Sequence, residues 1–188
     1  MTQGKNRVVA APVMVSAIVL MMLVMAGIAG VASAGTKKAP STPPSSGSSA
    51  TDSARAEQHV NQGMTYIKMK DYDNAIIEFT RATDLVPNYA VAYSDRGVAY
   101  MQQRKFNKAM DDLSKAVGLS PGDKSIHYNL TALYCLQGAK DRAFDSLDKA
   151  LELGFNNYDA LRNDPDLDGI REEAEFRKIL EKHKVFIR

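Results

Sequence analysis

The sequence predicts an all-α protein: a solenoid of three helix-hairpin repeats ended by a C-terminal capping helix. Three observations predict it. The first is a fixed period. Tyr66, Tyr100 and Tyr134 stand 34 residues apart, as do Ala75, Ala109 and Ala143, and Ala82, Ala116 and Ala150. Phe79, Leu113 and Leu147 form a fourth column in the same register, Gly63 pairs with Gly97, and Pro87 with Pro121. Several columns sharing one period mark a stacked array, in which each unit buries an apolar flank on the next. The second observation is helical spacing inside each unit, as in Ala109, Leu113 and Ala116. The third is proline punctuation, because Pro87 and Pro121 cannot continue the helix before them. A plain helical bundle would account for the helices but not for the constant register.

Taken in order, the chain opens with residues 8–34, which carry no charge and follow Lys5 and Arg7. Residues 1–34 therefore read as a signal peptide or an N-terminal transmembrane anchor. Ala32-Ser33-Ala34 has the small-x-small form of a cleavage site, whereas the length of the apolar run suits a bilayer span. Either way the expectation is an exported chain, periplasmic or anchored in the inner membrane and facing the periplasm if the source is Gram-negative, with the membrane as a partner if the segment stays uncleaved. Residues 35–51, rich in Ser, Pro and Thr, have no apolar side chain larger than alanine and read as a linker. Residues 52–188 form the folded domain.

Charge and composition exclude several functions. Without Lys5 and Arg7, the 24 Lys and Arg become 22, equal to the 22 Asp and Glu. A balanced domain gives no footprint for nucleic acid. Cys135 is the one cysteine, so neither an intramolecular disulfide nor a cysteine-pair metal site can form. His59, His127 and His183 read as satisfied core or interface histidines, and Asp111-Asp112 and Glu172-Glu173 as solvated helix faces. There is no phosphate loop, no G-x-S-x-G and no H-E-x-x-H. No enzyme and no cofactor is expected.

In the second unit the two helices are expected at about 89–102 and 106–118, with Gly97 permitting close helix contact and Tyr100 filling the space beyond it. These residues resemble the tetratricopeptide repeat family. The repeats would be 56–89, 90–123 and 124–157, with a capping segment over 158–188. The family's small-residue columns match Gly63, Ala75 and Ala82, then Gly97, Ala109 and Ala116; in the third unit Thr131 replaces the glycine and Phe155 the turn proline. The resemblance implies a right-handed superhelical solenoid whose first helices line a concave groove. Carried over by position, the partner-binding residues would be Val60, Met64 and Ile67, then Ser94, Val98 and Met101, then Tyr128, Ala132 and Cys135. That surface is apolar and suits an aliphatic or amphipathic segment of another protein. The alternative is a face self-packed against the end segment. Members that grip a C-terminal carboxylate use lysine, arginine and asparagine, whereas Val60 and Met64 stand at the matching first-unit positions, so no such clamp is expected here.

Two alternatives accompany this reading. One is a structural protein that assembles an envelope complex by self-association. The other is a calcium-responsive module, because Asp164 to Glu175, DPDLDGIREEAE, matches the EF-hand loop at every specified position. Against calcium, Arg171 stands where such loops carry an apolar residue. The structural reading takes Asp164 as an N-cap before Pro165 and assigns 169–183 to one closing helix with Ile170, Phe176, Ile179 and Leu180 turned toward the last repeat. On that reading no metal residue is assigned.

Overall fold

The computed structural model describes residues 49–186. Six helices form three antiparallel hairpins: α1 (Ala50–Lys68) with α2 (Tyr72–Leu85), α3 (Ala90–Gln102) with α4 (Phe106–Leu119), and α5 (Lys124–Leu136) with α6 (Lys140–Glu152). No strand occurs among the described residues. Each hairpin packs on the next through α2 against α3 and α4 against α5. The first helices also touch one another, α1 on α3 and α3 on α5, more closely than the second helices do. The stack therefore curves toward its first-helix face.

Local chemistry sets the boundaries. Ser49 and Asp52 form a capping box: the Ser49 hydroxyl accepts from the Asp52 amide at 3.1 Å, and the Asp52 carboxylate accepts from the Ser49 amide. That cap carries α1 back over Ala50 and Thr51, which composition assigned to the linker. Each first helix closes by the same turn. Lys70, Arg104 and Gly138 have φ of 59°, 58° and 72°. The next residue's amide then donates to the carbonyl of Tyr66, Tyr100 or Tyr134, each at 2.9 Å. The amides of Lys70, Arg104 and Gly138 themselves donate to the carbonyls of Ile67, Met101 and Cys135 at 2.8–2.9 Å, so the tyrosine and the residue after it both accept bonds in the closing turn.

The core follows the columns. Ala75, Ala82, Ala109, Ala116, Ala143 and Ala150 are fully buried, and so are Phe79, Leu113 and Leu147. Alanine lets paired helices approach, and the larger residue fills the opposite helix's small position. The apolar core falls into two clusters, one around Phe79 and one running from Met101 to Val185. A polar tie spans the first two hairpins. Arg96 on α3 holds Asp112 on α4 bidentately at 2.7 and 2.8 Å, and donates to the hydroxyls of Thr80 and Thr83 on α2 at 3.0 and 3.2 Å. Asp112 is therefore buried and paired, not solvated as its sequence neighbours suggested; Asp111 alone faces solvent.

Beyond α6 the chain forms α7 (Tyr158–Asn163), a 3-10 turn (Pro165–Leu167), α8 (Asp168–Arg171) and α9 (Ala174–Lys182). The expected single closing helix is thus two. Glu173 is extended, with ψ of 144°, and its carboxylate pairs with Lys140 at the start of α6. The break lets α8 lie on both α5 and α6 while α9 packs on α6 and back on α8. Phe176, Ile179 and Leu180 are buried on that flank, and Lys182 and His183 both reach Asp148 of α6 at 2.7 Å. The last repeat's apolar side is thereby covered, as an array's end requires.

The localisation expected from the sequence is corrected. No helix among the described residues is long and apolar enough to cross a membrane. The longest, α1, carries Asp52, Arg55, Glu57 and Lys68, and it buries a single stripe of Ala56, Val60 and Gly63. Such a helix packs on protein on one side and meets water on the other. The transmembrane, membrane and periplasm readings rested on residues 8–34, and these lie outside the described residues.

Candidate partner-binding face

The first helices place the nine groove residues on one face, but they differ sharply in access. On α1, Met64 is 39 % exposed and Ile67 is half-buried, whereas Val60 packs into the Phe79 cluster. On α3, Val98 is half-buried and Ser94 is buried, its hydroxyl accepting from the Asn129 side chain at 3.0 Å. Met101 is only 3 % exposed and belongs to the larger core cluster. On α5, Tyr128 and Ala132 are buried and Cys135 is half-buried.

The chain's own end segment closes the α5 part of this face. Tyr128 donates its hydroxyl to the Asp164 carboxylate at 2.6 Å and stacks on Phe155 with ring centroids 4.4 Å apart. Gln102 donates to Asp166 at 3.1 Å. Gly169 lies against the Cys135 carbonyl. Burial, aided by Asp166 and Asp164, pushes the Cys135 thiol up to about 12, so it stays protonated and unreactive. Burial raises Tyr128 as well, and its bond to Asp164 adds to the rise. The two sequence readings, open groove and self-packed face, therefore divide the array between them. Among the described residues the face is self-packed along α5 and uncovered between α1 and α3.

The Asp-rich stretch is built into that closure. Asp164 caps the 3-10 turn, its carboxylate accepting from the Asp166 amide at 3.0 Å, with Pro165 at the first position. Arg171 donates to the carbonyls of Leu161 and Asp164 and pairs with the Asp168 carboxylate. Glu175 accepts from Lys178. All four carboxylates of the would-be calcium loop are thus engaged by protein donors. Among the described residues no group of three or more His, Cys, Asp or Glu is placed to hold a metal ion. The histidines are satisfied: His59 bonds Glu78 at 2.6 Å and His127 the Pro121 carbonyl at 2.9 Å.

One residue of the open part was missed by sequence reasoning. Along α3, Val91, Asp95, Val98 and Gln102 follow helical spacing and form one stripe, with Val91 40 % exposed. Asp95 is half-buried, and its carboxylate makes no hydrogen bond or ion pair among the described residues. Every other carboxylate there that is not exposed has a partner. Burial first, then the charge of Asp123, pushes the Asp95 carboxyl up to about 6. Tyr89 is raised by burial, then by Glu57 and Asp95.

The Asp95 shift carries a stability cost with a definite sign. The folded pKa lies above the unfolded one, so the native state holds more protons between about pH 4 and 6, and stability is lost as pH rises through that window. Asp95→Asn is expected to raise stability at pH 7.5 by about 1–2 kcal/mol, below the roughly 3 kcal/mol that 1.36 per pKa unit would give, because solvent still reaches the site. At pH 4 the gain should vanish. Urea melts of both proteins at the two pH values check this.

The tetratricopeptide repeat pattern matches residues 56–89 and again residues 90–123. Among solved structures, the chain is similar to the first TPR of Spaghetti (RPAP3) bound to the HSP90 peptide SRMEEVD. Identity is 27 %, the match covers 69 % of this chain and 94 % of that one, and the TM-score is 0.56. The TPR2B-domain:pHsp70 complex of yeast Sti1 is 23 % identical over 70 % of this chain and 98 % of that one, with TM-score 0.53. The Sgt2 TPR domain from Aspergillus fumigatus is 19 % identical over 69 % and 76 %, with TM-score 0.51. The latter two likenesses bear on fold alone. A search of curated proteins found no match.

Proposed function

We propose, for a chain that belongs to the tetratricopeptide repeat family, that the open part of its concave face, between α1 and α3, holds an apolar or amphipathic segment of a partner protein. Repeats of this class are non-catalytic scaffolds, so the activity is recognition without a chemical step. One observation carries the reading: Met64 and Val91, at 39 % and 40 % exposed, project from neighbouring first helices of the curved face, with half-buried Ile67 and Val98 beside them. Exposed apolar side chains gathered on a concave surface gain from covering, and methionine adapts to varied partners. The likeness to a repeat domain that holds a peptide supports the same mode.

Phage-displayed random dodecapeptides selected on the full chain test it. The enriched peptides should bind Met64→Glu at least about tenfold more weakly than wild type, a loss of about 1.4 kcal/mol, with far-UV circular dichroism unchanged. Equal binding to both proteins overturns the proposal. Met101 is unsuited to this test, because a glutamate there would be buried in the core.

A further inference from the structure

Of the stripe Val91, Asp95, Val98 and Gln102, Asp95 is the one charged side chain, and that charge narrows the class of partner. From Asp95's lack of any donor among the described residues we infer that the segment held between α1 and α3 presents a lysine or arginine side chain to this carboxylate, with apolar residues on either side. The inference rests on the groove reading above and adds the charge of the ligand to it.

Three observations support a cation. Asp95 stands on the same stripe as Val91 and Val98, so a segment covering those valines also covers the carboxylate. Its oxygens are not sealed in: among the described residues, the buried side-chain polar atom left without a partner is Oε1 of Gln103, not an Asp95 oxygen. A ligand group can therefore reach them. The ionisable groups coupled to Asp95 are Asp123, at the cap of α5, and Tyr89, before α3; Glu57 on α1 acts on the same tyrosine. None of these is a cation. The neighbouring Arg96 is committed to Asp112, Thr80 and Thr83 on the other side of α3. Lys68 is level with Gln102 by the 34-residue period, seven residues along from the level of Asp95, or about 10 Å at 1.5 Å per residue.

The local field therefore repels an anionic segment and favours a cationic one. A peptide such as SRMEEVD, with three acidic side chains against one arginine, would bring net like charge toward Asp95 and Asp123. Covering Asp95 with a purely apolar segment would strand its carboxylate without water or partner. A lysine or arginine removes both penalties, and it offsets the burial that already raises the Asp95 pKa.

The test uses fluorescein-labelled dodecapeptides on one Leu, Ala and Ser frame, each with a single Lys, Gln or Glu stepped through the interior positions. Binding to the full chain is read by anisotropy for wild type, Met64→Glu, Asp95→Asn and Asp95→Lys. The best Lys peptide should bind wild type at least about tenfold more tightly than its Gln counterpart, and the Glu counterpart should be weakest. Asp95→Asn, which is isosteric, should abolish the Lys preference, and Asp95→Lys should reverse it. Met64-dependent binding with equal affinity for Lys and Gln peptides overturns the cation inference and leaves the groove reading standing. Binding that ignores Met64, or no binding by any peptide of the series, overturns both.

Discussion

Phe79→Ala is expected to lower the unfolding free energy by about 3–5 kcal/mol. Phe79 is fully buried between α1 and α2 and is the largest fully buried side chain of its cluster. Its ring fills the space left by Gly63: a Cβ at that glycine would stand 2.5 Å from the ring's Cε1. Removing the ring opens a cavity that an alanine-rich hairpin cannot close by side-chain movement. The same geometry predicts the reverse defect. Gly63→Ala should destabilise by about 1–3 kcal/mol through overpacking, despite alanine's better helix propensity. The other two hairpins carry Leu113 and Leu147 at the Phe79 position; the third has buried Thr131 where the first two have glycine, and a Cβ at Gly97 would stand 2.9 Å from Leu113, a looser approach than at Gly63. Phe79→Leu should therefore rescue Gly63→Ala, and a double-mutant cycle in urea should show favourable coupling. Additive losses would refute the complementary fit.

Arg96→Met carries the second large effect, an expected loss of about 3 kcal/mol. Breaking a buried pair costs about 3–5 kcal/mol because it strands the remaining charge, here Asp112 at 7 % exposed. Residual solvent access at both partners places the value at the lower end. Thr80 and Thr83 also lose a donor, so the tie between the first and second hairpins goes with it. Adding Asp112→Leu should restore much of the loss, since an apolar pair of similar volume needs no counter-charge. If Arg96→Met alone is neutral in thermal and urea unfolding, the pair is not a structural tie.

The fold was legible because its packing columns repeat. The alanine columns and Phe79, Leu113 and Leu147 recur because all of them are fully buried on the second helix of each hairpin, and Gly63 and Gly97 recur because they face Phe79 and Leu113. Asp112 was misjudged although the signal existed. It lies three residues after Ala109 and four before Ala116, on the buried stripe, and only its neighbour Asp111 faces water. Packing of the end segment on this face was one of the two sequence readings, but its pairings were not readable, because they join Tyr128 to Asp164 and Gln102 to Asp166 across 36 and 64 residues, and no period relates those pairs. Asp95 was passed over for a different reason. A lone aspartate in a helix looks solvated until the helix packed beside it, with Asp123 at its cap, is known. The membrane reading failed to transfer to the described residues because none of their helices is long and apolar enough to cross a membrane, while the apolar run 8–34 is outside them.

The most direct test of the central claim is to map where a selected peptide sits. Methyl spectra of the full chain, labelled at methionine, isoleucine and valine, can be recorded with and without a phage-selected dodecapeptide. The open face between α1 and α3 predicts that the Met64, Val91 and Val98 methyls shift together. Met69 and Ile77, exposed at 70 % and 47 % outside that stripe, should stay in place. Shifts at Met69 and Ile77 with Met64, Val91 and Val98 unmoved would contradict the account.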